Sequence, residues 1–230
     1  MDPSKEETDR CLVHQVEHFR QRYNWDCGVS CVLMLLSEKQ RVSFLENFNQ
    51  ICTEEGFGQS TWTIDLCYLM KRFSIKHHMY TTMLGVNEDY RKQGYYNKII
   101  DMDRERVQQR FQQAASRGIS VSEGSVSTER LAAHLARGPA LVLLDGGLLA
   151  CDLCKHNKLK ADFRRCFGGG YKGHYVLLVG YSGRSCRFLY RDPALGPRLC
   201  ALGAARLRRA RAAVGTDGDC ILVHAAGGAS

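Results

Sequence analysis

The hydrophobic pattern changes period along the chain, and that change restricts the fold more than any other feature. The first half reads in helical period. A helix is predicted from Asp26 or Cys27 to about 39, with Val29, Val32, Leu33 and Leu36 in a segment apolar nearly all round, which marks it as central. A second helix is predicted over 43–52, where Ser43 and Glu46 stand at capping-box spacing. A third covers 61–73, with Trp62, Leu66 and Leu69 as a core stripe packing on the first and Asp65 either reaching a cleft or bonding locally. Segment 75–84 alternates and is rich in Tyr and Thr, a strand signal. A polar helix over 101–117 turns Val107 and Phe111 inward, and a shorter one spans 127–137. The last third holds strands at 140–144, 174–181, 187–191 and 220–224, with an Ala/Arg helix over 204–213. Helices first and strands afterwards predict an α+β fold, N-terminal helices packed on a largely antiparallel sheet, rather than alternating βαβ units.

Composition sets the remaining bounds. The 230 residues suit a single domain over 12–224, with a flexible tail at 1–11, a Cys-rich insertion at 151–172 and a frayed end at 225–230. The longest apolar runs, such as 175–179, suit buried strands and not a bilayer, so no membrane partner is expected. The polar start is no signal peptide, which predicts a cytoplasmic or nuclear protein. Eleven cysteines, an odd number, are then reduced, and catalysis, metal binding or burial accounts for them better than disulfides. A formal charge of +8 favours anionic partners, but the basic run 206–211 reads as a solvated helix face without interleaved aromatics, which disfavours nucleic acid.

The segment from Gln21 to Cys31 carries the most chemistry. A polar loop with aromatics runs into Asp26-Cys27-Gly28, and an apolar helix begins there. A cysteine on a first helical turn faces unpaired backbone N–H groups and the positive end of the dipole, both of which favour thiolate over thiol. Gly28 is expected to leave room for a substrate backbone beside the sulfur. Gln21, six residues upstream, offers a side-chain amide for an oxyanion together with the Cys27 N–H. The bland alternative is a buried structural cysteine, the reading given to Cys31. A nucleophile needs a base, and the base an orienter. His174 stands at the mouth of a strong strand and Asp192 eighteen residues later, at the end of the next. If those strands form a hairpin, the two become neighbours and the carboxylate fixes the imidazole tautomer.

The order Gln, Cys, His, Asp, with Gln-x5-Cys-Gly, His-Tyr-Val and Asp-Pro, resembles the papain-like bacteriocin-processing cysteine peptidases. More closely, the chain resembles the guanylyl cyclase domain-containing (guanylylate cyclase) family. That resemblance rests on Tyr-Asn-Trp-Asp-Cys-Gly at 23–28, Trp-Thr-Ile-Asp-Leu at 62–66 and Leu-Gly-Val at 84–86. Cys-Asp-Leu-Cys at 151–154, Gly-His-Tyr at 173–175 and Gly-Thr-Asp at 215–217 complete it, over roughly residues 12–224. The first resemblance implies a papain-like cysteine-proteinase fold and thiol chemistry on an acyl, amide or isopeptide bond. The second implies, by its name, conversion of GTP to cyclic GMP.

Three functions follow. The first is a cysteine hydrolase or transferase acting on a peptide or protein, with Cys27 as nucleophile, His174 as acid/base, Asp192 as orienter and Gln21 as oxyanion donor; it requires no cofactor. The second is a guanylyl cyclase, with GTP as substrate and Mg²⁺ or Mn²⁺ required. Its mechanism is less legible: Gly168 to Gly173 is glycine-rich in the wrong order for a phosphate loop, and Asp65, Asp145 and Asp192 do not single out a metal-holding pair. The third is a catalytically silent module that holds a protein partner. Separately, Cys151, Cys154, His156 and Cys166 have the spacing of a structural zinc knuckle, against the alternative of reduced surface thiols.

Overall fold

The structure, a computed structural model, describes residues 12–57, 60–87, 97–154, 157 and 171–224. Among these, seven helices and seven strands follow in the order α1 (Cys27–Leu33), α2 (Glu38–Glu46), α3 (Phe48–Glu54), α4 (Thr63–Arg72), β1 (His77–Thr81), α5 (Asn97–Gln113), β2 (Ser120–Glu123), α6 (Thr128–His134), β3 (Ala140–Asp145), β4 (Gly173–Ser182), β5 (Arg187–Arg191), β6 (Cys200–Gly203), α7 (Ala204–Arg211) and β7 (Cys220–Val223). The strands form one sheet in the order β2-β1-β7-β3-β4-β5-β6. Only β1 and β2 pair in parallel; every other pairing is antiparallel. The mixed α+β fold with a mostly antiparallel sheet agrees with the sequence.

The central strands β7, β3 and β4 are apolar on both faces because both faces are covered. Leu141, Leu143, Tyr175, Leu177, Val179, Ile221 and Val223 enter one core, shared with α1 to α5. Val142, Leu144, Val176, Leu178, Cys220 and Leu222 enter a second, shared with α6 and α7. The N-terminal helices thus cover one face, as expected, and the C-terminal helices cover the other. Leu207 and Ala210 of α7 are fully buried and Arg211 nearly so, donating to the Val126 and Gly218 carbonyls. The basic run is therefore a solvated face only in part. No described helix is long and apolar enough to cross a membrane.

The helices predicted over 26–39 and 43–52 are cut differently. The first stops at Leu33, where the buried Arg41 guanidinium donates to the carbonyls of Leu33 (3.2 Å) and Leu36 (3.1 Å). Ser37 and Gln40, not Ser43 and Glu46, form the capping box that opens α2. Ser43 lies inside α2, and its carbonyl accepts from the backbone and side chain of Asn47, which ends α2 and divides it from α3. The strands β2 and β6 had no sequence signal: Ser-Val-Ser-Glu and Cys-Ala-Leu-Gly are short, weak strand formers, and each pairs with a single neighbour, β1 and β5 respectively.

Asp65 settles the place of α5. Fully buried on α4, it accepts from the Trp62 N–H (3.0 Å) and ion-pairs with Arg106 and, at 3.0 Å, Arg110 of α5. Arg110 also reaches the Glu55 carboxylate at 2.9 Å and stacks over Tyr68. With Val107 buried and Phe111 packed on the core, as expected, these pairs fasten a polar helix to an apolar one. Asp65→Ala leaves two largely buried guanidinium groups short of a partner and should destabilise the chain by about 3–5 kcal/mol. Equilibrium denaturation in guanidinium chloride would read this as a lower midpoint at unchanged slope.

Candidate functional site

The loop before α1 is folded by its own aspartate. The Asp26 carboxylate accepts from the N–H groups of Arg22 and Tyr23, both at 3.0 Å, turning 22–26 into a tight bend that ends at Cys27. Burial pushes the Asp26 carboxyl above its ordinary range, although both donors pull it down. Tyr23 stacks on Trp25 (5.6 Å between centroids) and on Phe48, anchoring the loop to α3. Upstream, the chain lies as a strap along the far end of the β4–β5 hairpin. The His14 N–H donates to the Val179 carbonyl, beside a register shift between Leu178 and Gly180. The same strap reaches the hairpin's other end, where the Gln21 N–H donates to the Pro193 carbonyl at 2.9 Å.

The hairpin brings the remaining residues together as the sequence predicts. His174 is the second residue of β4, and Asp192 directly follows β5. His174 Nε2 lies 2.8 Å from Asp192 Oδ1, which also accepts from the Ala194 N–H at 2.9 Å. The Cys27 side chain also bonds His174. Burial pulls His174 down, but the bonds to Asp192 and Cys27 and their charges outweigh it, and its pKa rises to about 10. The imidazole therefore holds its proton at neutral pH between a carboxylate and a sulfur. Cys27 itself is 6% exposed. Cys31, one turn on, is fully buried, and that burial pushes its thiol well up, in keeping with a structural role.

Two site expectations change. A Cβ on Gly28 would lie 2.6 Å from Leu66 Cδ1 and 3.0 Å from Tyr175 Cδ2. The space beside Gly28 is filled by α4 and β4, so the glycine serves close packing of α1 and leaves no room for substrate. Gln21 lies in the loop, but its amide nitrogen donates to the Tyr23 carbonyl at 2.8 Å. The three aspartates considered for a metal do not converge. Asp65 is paired with arginines, Asp192 with His174, and Asp145 accepts from the Gly147 N–H (2.9 Å) and Lys172 N–H (3.4 Å).

Sequence reasoning missed a second polar group under the site. The Thr63 hydroxyl, at the start of α4, lies 2.7 Å from the Tyr175 hydroxyl and donates to the Asp219 carboxylate. Burial raises Asp219 to about 7 against the pull of Thr63 and Thr81. The motifs at 62–66 and 173–175 contain Thr63 and Tyr175, but their meeting is visible only in three dimensions. At the same sheet end, a cavity of about 650 Å³ is bounded by Thr82, Ser127, Thr128, Arg208, Thr216 and Asp217. Cys27, His174 and Asp192 do not line it. Of the expected zinc ligands, Cys151 and Cys154 come together, while His156 and Cys166 lie outside the described residues. Cys200, from β6, joins the first two.

The His174 pair predicts a pH signature. Its folded value of about 10 stands above the ordinary 6.5, so the stabilisation is complete below pH 6.5 and is lost as pH rises toward 10. Denaturation of the wild type and Asp192→Asn should show the largest difference near pH 6 and a shrinking one by pH 9.5. A constant gap would show that His174 does not carry the effect.

Comparison with known proteins bears on this geometry. A family described as guanylylate cyclase matches residues 16–223, which takes in Gln21, Cys27, His174, Asp192 and the cysteine cluster. Guanylyl cyclase 1 of Arabidopsis thaliana is 32% identical over 218 residues, covering 91% of this chain and 75% of the relative. On both grounds the chain belongs to the guanylylate cyclase family.

Proposed function

We propose that Cys27, His174 and Asp192 act as a papain-like thiol site on an acyl, amide or isopeptide bond of a peptide or protein. The observation that carries this reading is the 2.8 Å bond from His174 to Asp192 in an imidazole that also binds the Cys27 side chain. In the reaction, the Cys27 sulfur attacks the carbonyl carbon and His174 passes its proton to the leaving amine, giving a thioester. Water, losing a proton to His174, then attacks the thioester and releases the acid and the thiolate. A Cys27 N–H at the helix start and the Gln21 amide, turned away from the Tyr23 carbonyl, would hold the oxyanion. Asp192 keeps the ring oriented throughout. The chemistry needs reduced thiols, which suits a cytoplasmic or nuclear setting.

A second reading is GTP cyclisation, and the comparisons favour it over the first. The family description and the name of the Arabidopsis relative support it, and neither lends support to thiol hydrolysis. The cavity between Ser127, Arg208 and Asp217 has a volume in the range of small-molecule sites and offers hydroxyls and a guanidinium. In this reading the 3′-hydroxyl gives up its proton to a base or water, its oxygen attacks the α-phosphorus, pyrophosphate leaves, and Mg²⁺ or Mn²⁺ is required.

One pair of measurements separates them. Iodoacetamide at pH 6, where ordinary thiols are almost wholly protonated, should modify Cys27 at least about tenfold faster than the exposed Cys186. His174→Ala should erase that lead; equal rates in both proteins would rule out an activated thiol. Incubation with GTP and Mn²⁺, read by mass spectrometry, should yield no cyclic GMP under the thiol reading. Cyclic GMP that persists in Cys27→Ser would establish the second reading in its place.

A further inference from the structure

We infer that Cys151, Cys154 and Cys200 bind a zinc ion that clamps the start of the 151–172 insertion onto the edge strand β6. This ligand set differs from the one the sequence spacing suggests, because its third member lies 46 residues beyond Cys154 and is brought in by the fold. Among the described residues, this is the one group of three that gathers ligand atoms, with all three sulfurs within 4.8 Å of one another. Zinc bound tetrahedrally at about 2.3 Å from each thiolate places sulfurs about 3.8 Å apart. Cys154 Sγ and Cys200 Sγ stand at 3.9 Å. A disulfide would need them at about 2 Å.

The surroundings suit a charged metal cluster. The Cys154 N–H donates to Cys151 Sγ at 3.3 Å, the bond a Cys-x2-Cys turn makes to a ligating sulfur and one that favours its thiolate. Cys151 and Cys200 are buried, and Cys154 is exposed, so a metal has an approach. Asp152, between the two loop cysteines, fixes the turn on β6. Its N–H donates to the Ala201 carbonyl at 2.8 Å, and its carboxylate accepts from the Gly203 N–H at 3.1 Å. Arg206 (2.7 Å) and Arg187 (3.6 Å) pair with that carboxylate. They place positive charge beside a cluster that is net negative when three thiolates hold one Zn²⁺. The clamp also covers a strand edge that would otherwise lack a partner. The ion would be structural. The insertion returns at Lys172, whose carbonyl accepts from the Gly146 N–H at 2.8 Å, and Gly146 abuts the His174 side chain.

The test uses the full chain, produced with zinc in the medium and passed through gel filtration before elemental analysis. About one zinc per chain is expected, as is a thiolate-to-metal absorption band after replacement by Co²⁺. Cys200→Ser should lose at least half of the zinc and weaken the cobalt band by about one third, one thiolate of three. Cys154→Ser, at an exposed position that leaves the core intact, should do the same, and Cys186→Ser should change neither. A metal-free wild type with no cobalt band would overturn the proposal. So would full zinc retention by both Cys200→Ser and Cys154→Ser, or an intact mass showing a Cys154–Cys200 disulfide in the wild type.

Discussion

The close approach of α1 to β4 is the contact on which the site depends. With no side chain at Gly28, the helix lies against Leu66 of α4 and Tyr175 of β4, and Cys27 is carried to His174, the neighbour of Tyr175 in the strand. A seven-residue helix is too short to fix its own ends, since most of its terminal N–H and C=O groups have no partner within it. The surrounding chain supplies that precision. Asp26 folds the loop at the start, Arg41 takes the Leu33 and Leu36 carbonyls at the finish, and the strap joins the loop to Pro193. The nucleophile candidate therefore sits at a position defined from three directions.

Buried charge is handled in three ways, and the contrast bears on function. At Asp65 two arginines surround the carboxylate, which makes a fastener. At Asp219 burial raises the carboxyl to about 7, and the carboxylate accepts from the Thr63 hydroxyl. At His174 the ring stays charged because a carboxylate and a sulfur flank it. A histidine that keeps its proton to about pH 10 is fitted to deliver that proton to a leaving amine.

Most of the order of elements, the hairpin and the meeting of His174 with Asp192 were legible because they depend on local signals. Apolar runs mark β3 and β4, Asp192-Pro193 marks a strand end, and antiparallel neighbours follow from short connections. Features that failed to show depend on competition or on distance. Ser37 and Ser43 both offer a cap; Ser37 takes it with Gln40, and Ser43 lies inside α2 with its carbonyl bonded by Asn47. Gly28 reads as open space in one dimension and is filled by residues 38 and 147 positions away. Cys200 carries no motif of its own, and only the pairing of β5 with β6 and the Asp152 turn place it beside Cys151.

The sheet order explains why such a site cannot be read from any one segment. The last strand in sequence, β7, lies between β1 and β3, so the two halves of the sheet meet only through it. Asp219, just before β7, binds Thr63 of α4, which bonds Tyr175 of β4. One chain of contacts thus joins residues 63, 175 and 219, and Tyr175 adjoins His174 in β4. Such long-range closure is slow to form, because the entropy of closing large loops is lost before the contacts compensate. It also couples the site to the whole sheet: Tyr175 is held by the Asp219 network on one side and by α1 on the other, and His174 moves with it. The distance between Cys27 and His174 is accordingly set by the packing of both cores, and substitutions far from either residue can open it.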